Sequence, residues 1–356
     1  MEGNLAFNHM ERNKRILAVT TGGLGDTILF SPVLKALKTI SSPTHIEMLV
    51  TNPLVLEVYQ SVKEISHITF IRSSKSSLLL KTAFMLPIAL KYLLSGGFDI
   101  GLFATGLNPG LGPLFKFAGR VRNINFAPSH PAFETDLECN IALARRFNQN
   151  ICKNDTFVPL TRKSTLEAKR VSEQYGVAWG DKKIVAIYPS KELKHRPRWK
   201  LKNLLRVIEL LKLSGFEGQF VVVGSAGEGK EWAGVDSDCV ADANLAGKLS
   251  ILGSAAFIRQ CALIIGNDGG LMHVAGAVNC PLVVVMTNTP FSYRPPGDNT
   301  KVIHSKLVCC EGLYPEIPRS CRVPRCAWDV TVDEVYYACK ELIDQNTSNS
   351  KQLTIY

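Results

Sequence analysis

The chain reads as an α/β protein made of two doubly wound parallel-sheet halves facing a central cleft, and three observations carry that expectation. Apolar runs of strand length alternate with segments of helical apolar spacing along most of the sequence. Polar turns rich in glycine or cations follow four of the expected strands, at the edge where open α/β sheets bind ligands. With 356 residues, 46% of them hydrophobic and 20% charged, there is enough chain for two cores.

In the first half, residues 15–20 predict a strand, a turn over 22–26 follows, and 28–40 carry helical spacing. Further strands are expected near 45–50, 67–71, 98–104 and 122–126, with helices near 53–62, 78–94, 111–117 and 135–148. Residues 155–160 read as the linker. The second half opens on a helix at 164–175 and repeats the pattern with a strand at 184–188, a helix at 201–214, a strand at 219–224 and a helix at 251–260. Residues 263–286 then form one βαβ unit: a buried-looking strand, the turn Asn267-Asp268-Gly269-Gly270, a helix stopped by Asn279-Cys280-Pro281, and the apolar run from Leu282. A helix at 332–344 closes the fold. The expected division is 1–160, 161–345 and a frayed, flexible tail at 346–356.

Composition narrows the function classes. The N-terminus offers no secretory signal, and the best transmembrane candidate, 78–94, is interrupted by Lys81, Pro87 and Lys91. A cytoplasmic protein is expected. The net charge of +10 suggests an anionic partner, and basic residues outnumber acidic ones most strongly over the first 122 residues. That region lacks the interleaved aromatic and basic residues of single-strand nucleic-acid grooves, so an anionic acceptor or the inner-membrane surface, met peripherally near 78–94, fits better than nucleic acid. Ten cysteines without an export signal point to a reducing compartment. Cys309, Cys310, Cys321 and Cys326 gather in a Pro-rich tail without the paired spacing of zinc ribbons; they are either a metal site or ordinary thiols.

The turns carry the chemistry. After the first strand, Gly22-Gly23-Leu24-Gly25-Asp26-Thr27 lacks the third glycine of a dinucleotide fingerprint and the Lys-Ser/Thr of a triphosphate loop. What it presents is one carboxylate, Asp26, either a general base or a helix cap. The loop Pro189-Ser190-Lys191-Glu192-Leu193-Lys194-His195-Arg196-Pro197-Arg198-Trp199 is dense in cations, so it either holds a diphosphate or is solvated. Glu228, after Gly224, either accepts from ribose hydroxyls or faces water. At Asp268-Gly269-Gly270-Leu271-Met272-His273 a helix N-terminus follows a strand, and its unpaired amides and dipole suit a phosphate.

Taken in this order, Leu24-Gly25-Asp26, Arg198-Trp199, Gly227-Glu228 and Asp268 to His273, with Gly119-Arg120 and the cysteine-bearing tail, resemble glycosyltransferase family nine, the ADP-heptose:lipopolysaccharide heptosyltransferases. The resemblance implies a GT-B fold, with the acceptor on the first Rossmann-like domain and the nucleotide sugar on the second. It implies inverting, metal-independent transfer from an ADP-heptose type of donor to a lipopolysaccharide-type glycolipid or glycan, with no cofactor. Asp26 would be the base, with Gly23, Gly25 and Thr27 on the acceptor side. Ser190, Lys191, Lys194, Arg196, Arg198, Gly224, Glu228, Asp268, Gly269, Gly270, Leu271 and His273 would bind the donor. Two positions depart from the family's usual pattern: Pro197 stands where a lysine is common, and Gly269 where a threonine is common. The alternatives are a heptosyltransferase acting on a protein, which the cysteine tail favours, a non-catalytic nucleotide-sugar binder, an epimerase on the same scaffold, and a nicotinamide-dependent oxidoreductase, for which neither glycine turn is complete.

Overall fold

A computed structural model describes residues 14–20, 22–39, 45–71, 96–104, 116, 121–128, 133–180, 183–190, 198–234, 241–307 and 325–352. The chain divides into two compact units, Met1–Pro159 and Leu160–Tyr356.

Unit one is built from β1 (Arg15–Thr20), α1 (Leu24–Lys38), β2 (His45–Val50), α2 (Pro53–Tyr59), β3 (Ile65–Phe70), β4 (Phe98–Phe103), β5 (Val121–Phe126) and α3 (Asp136–Ala144). Its sheet runs in the order β3-β2-β1-β4-β5, every pair parallel. Such a sheet hides both faces, which explains why Ile16 to Val19 are all fully buried. The order reverses direction at β1 and β4, so the turn leaving β1 opens at the switch point where these folds bind ligands.

Unit two comprises α4 (Arg162–Gln174), β6 (Ile184–Tyr188), α5 (Leu201–Leu213), β7 (Gln219–Val222), α6 (Ala226–Ala233), β8 (Ala243–Asn244), α7 (Ile251–Ile258), β9 (Leu263–Asn267), α8 (Gly270–Ala277), β10 (Leu282–Met286), β11 (Thr300–His304), α9 (Cys326–Asp329) and α10 (Val332–Gln352). Its parallel sheet runs β11-β10-β9-β6-β7-β8, with the switch point between β6 and β9. α10 closes the core by setting Val335, Ala338, Cys339 and Leu342 against the buried face of α5, where Leu204, Val207, Ile208 and Leu211 lie.

Several expectations are corrected. α1 begins at Leu24, four residues before the expected start, because Gly23 serves as its N-cap and Asp26 lies inside its first turn. β8, β11, α6 and α9 are additional: β8 is two residues long, and β11 interleaves polar side chains at the sheet edge, so neither has a strong strand pattern. α10 continues to Gln352, beyond the expected end at 344. The expected helix at 78–94 lies outside the described residues, as does all of 111–117 except Lys116. Among the described residues, no helix is long and apolar enough to cross a membrane.

Candidate functional site

At the carboxyl end of β1, buried Thr20 and Thr27 share a hydroxyl contact of 3.0 Å, and the Thr27 hydroxyl also donates to the Gly23 carbonyl. Thr27 thus holds the turn together from inside. Asp26 Oδ2 accepts the Gly23 N–H at 2.5 Å, the carboxylate half of a capping box, so Asp26 is not itself the N-cap. The carboxylate fills the space where a Gly22 side chain would be, which makes that glycine a steric necessity. Gly23 is exposed, whereas Gly25 and Asp26 are half-buried within the first turn of α1. The result is a carboxylate held at a sheet's switch point.

Unit two gathers more groups at its switch point. Asn267, the last residue of β9, is buried and fully used: its carbonyl accepts the Trp199 N–H at 2.9 Å, and its amide donates to the Pro189 and Trp199 carbonyls at 2.9 and 3.1 Å. One side chain therefore ties both ends of the cationic loop to the strand that leads into α8. The Trp199 indole is buried and donates to the Val330 carbonyl at 2.8 Å, anchoring the same end from the other side. Arg198 Nη1 donates to the Asp268 carbonyl at 2.6 Å and stands 3.9 Å from its carboxylate. Among the described residues, the buried Nε of Arg198 has no acceptor, so the guanidinium keeps hydrogen-bonding capacity that the described residues do not use. Lys191, Lys194 and Arg196 lie outside the described residues.

The Asp268 carboxylate accepts from the Thr289 hydroxyl at 2.7 Å, and the Thr289 carbonyl meets His304 Nε2 at 2.9 Å. Gly269 caps α8, while Gly270 and Leu271 supply its first amides; His273 is buried one turn further in. Across the switch point, Glu228 is the third residue of α6, and its Oε2 accepts the Ser225 N–H at 2.6 Å. Gly224, at φ 138°, adopts a backbone that disfavours a side chain, and a Cβ there would stand 2.5 Å from Glu228 Oε2. Ser190 is buried at φ 58°, a conformation costing a non-glycine residue on the order of 1 kcal/mol or more. Burial raises the pKa of the Tyr188 phenol and the nearby Glu228 charge adds to the rise, so the hydroxyl stays protonated.

The structure thus brings Ser190, Arg198, Gly224, Glu228, Asp268, Gly269, Gly270, Leu271 and His273 to one sheet edge. Asn267, Tyr188 and Thr289 were missed by sequence reasoning. A polar residue ending the apolar run Leu263 to Ile265 was the available signal for Asn267, since a buried amide demands partners. Of the four tail cysteines only Cys326 is described, buried on α9, and no metal-type cluster occurs among the described residues.

Known proteins resemble the chain in sequence and in fold. The chain is 30% identical over 146 residues to lipooligosaccharide heptosyltransferase 2 of Haemophilus influenzae, covering 38% of this chain and 41% of that protein. The alignment therefore spans less than half the length of that curated relative. In fold it is similar to the E. coli ADP-heptose lps heptosyltransferase II (TM-score 0.67, 19% identity, 94% and 99% of the two chains) and to E. coli heptosyltransferase WaaC with ADP (TM-score 0.62, 15% identity, 92% and 99%). Both likenesses identify the GT-B fold of two parallel-sheet domains. The model of glycosyltransferase family 9 (heptosyltransferase) matches residues 104–320, more than half of the chain and all of the switch-point residues of unit two. The chain therefore belongs to glycosyltransferase family 9, the heptosyltransferases.

Proposed function

We propose that the protein is an inverting, metal-independent glycosyltransferase that moves a heptose from an ADP-sugar donor to a hydroxyl of a lipopolysaccharide-type acceptor. Residues 1–160 would hold the acceptor and 161–345 the donor. The observation that carries the reading is the buried Arg198, hydrogen-bonded to the Asp268 carbonyl immediately before α8, whose Nε has no acceptor among the described residues. Together with the first amides of α8, it forms a setting for a diphosphate and for the charge that develops as the diphosphate leaves. In this reading Asp26 takes the proton of the acceptor hydroxyl, the new oxygen–C1 bond forms opposite the breaking C1–phosphate bond, and ADP departs. Glu228 accepts from the ribose.

Acceptor-dependent release of ADP from ADP-heptose, followed with lipopolysaccharide core as acceptor, tests this directly. Release that does not depend on the acceptor, or no release at all, would refute it. Chelation by EDTA should leave turnover within about twofold, because cationic side chains and amides supply the positive charge that a metal provides elsewhere; strict dependence on added metal would overturn that part. Replacing Arg196 and Arg198 together with alanine should weaken ADP binding by on the order of 10²-fold, the scale for removing a buried charged partner. Unchanged affinity by calorimetry would remove the loop from the donor site.

A further inference from the structure

The loop that leaves β10 is clamped at both ends to α8 and the residue before it. Val285 of β10 pairs with Asn267 in register, and the Thr289 hydroxyl donates to the Asp268 carboxylate at 2.7 Å. At the far end the Pro296 carbonyl oxygen fills the place of a side chain at Gly276 of α8, and the Thr300 hydroxyl donates to that carbonyl at 2.9 Å. Between the clamps, Phe291–Tyr293 form a single tight helical turn. The loop is thus fixed, yet it leaves Phe291 46% exposed. The ring is braced by its neighbours: Arg294 Cζ stands 4.4 Å from its centroid, and the His304 ring meets it at 5.9 Å and 74°. His304 also holds the Thr289 carbonyl at 2.9 Å, so the brace and the Asp268 clamp share one residue. Fixed loops that display a side chain at the ligand edge of a sheet are where binding contacts concentrate.

Strand order decides which part of a donor that ring meets. The sheet runs β10-β9-β6-β7, with neighbouring strands about 4.8 Å apart. Its carboxyl edge therefore carries, in that order, Phe291, the first amides of α8, Arg198 and Glu228. A nucleotide sugar is linear in the same sense, running sugar, diphosphate, ribose, base. With the diphosphate at α8 and Arg198 and the ribose toward Glu228, the sugar falls on the β10 side. A sugar ring carries C–H groups between its hydroxyls, and their weakly positive hydrogens settle on the negative face of an aromatic ring. We propose that Phe291 is the platform on which the transferred sugar of the donor stacks, and so a determinant of which sugar is accepted. The proposal rests on the donor-site reading above.

Calorimetry with ADP and with ADP-heptose, in the absence of acceptor, tests it. Phe291→Ala should weaken ADP-heptose binding by roughly fivefold or more while ADP binding stays within about twofold. Its thermal midpoint should hold, because the side chain is already half exposed. Phe291→Trp keeps a flat aromatic face and should bind ADP-heptose within about twofold of the wild type. A loss in Phe291→Ala that is equal for both ligands would show that the ring only supports the loop, and would overturn the platform. Unchanged ADP-heptose affinity in that variant, even with a raised KM for the acceptor, would overturn it too, and either result leaves the diphosphate reading intact. No ADP binding by the wild type would overturn both.

Discussion

Asp26→Asn should lower turnover by about 10³-fold at saturating donor and acceptor while leaving ADP affinity unchanged. The substitution is nearly isosteric, and the asparagine carbonyl can still accept the Gly23 N–H, so the start of α1 should survive. What disappears is the capacity to take a proton. The lost attraction between a carboxylate and the helix N-terminus costs only about 0.3–1 kcal/mol, too little to unfold a domain of this size. Steady-state kinetics and ADP calorimetry on one preparation check both halves of the expectation. Turnover near that of the wild type would show that the carboxylate serves only to hold the Gly23 amide at the start of α1.

Asn267→Asp should destabilise unit two by about 3–5 kcal/mol, seen as a lower urea midpoint. The volume is conserved, yet the side chain's two donors become lone pairs facing the Pro189 and Trp199 carbonyls, and only the Trp199 N–H remains a favourable partner. A buried carboxylate confronting two carbonyl oxygens is close to the worst exchange available at that position. Donor binding should weaken in parallel in whatever fraction stays folded, because Arg198 adjoins the released end of the loop. A midpoint equal to that of the wild type would mean that Trp199 and its neighbours hold the loop without Asn267.

The sheet architecture was legible because fully buried parallel strands are written as unbroken apolar runs, as in Ile184–Tyr188 and Leu282–Met286. Glycine turns after two other runs, at Gly22–Gly25 and Gly269–Gly270, marked the carboxyl edges of the two sheets. Where α1 begins was not legible: Gly23 and Gly25 suggest a turn, and only the contact between Asp26 and the Gly23 amide shows that the helix has already started. Tyr188 read simply as the end of a strand, since its phenol lies against Gly269, 81 residues later, and nothing local records that contact. Asn267 was hidden in a related way. Its partners, Pro189 and Trp199, belong to a loop that precedes it by about 70 residues.

The double tether at Asn267 has a consequence for how this protein can change over time. Once both mouths of a loop are pinned to one strand, the entropy of closing it has already been met, and each doubling of its length adds only about 0.6 kcal/mol. The loop between Ser190 and Arg198 can therefore change in length with little penalty to folding, while Arg198, bound to the Asp268 carbonyl, keeps its place. Loop length can drift within a clasp that itself stays still.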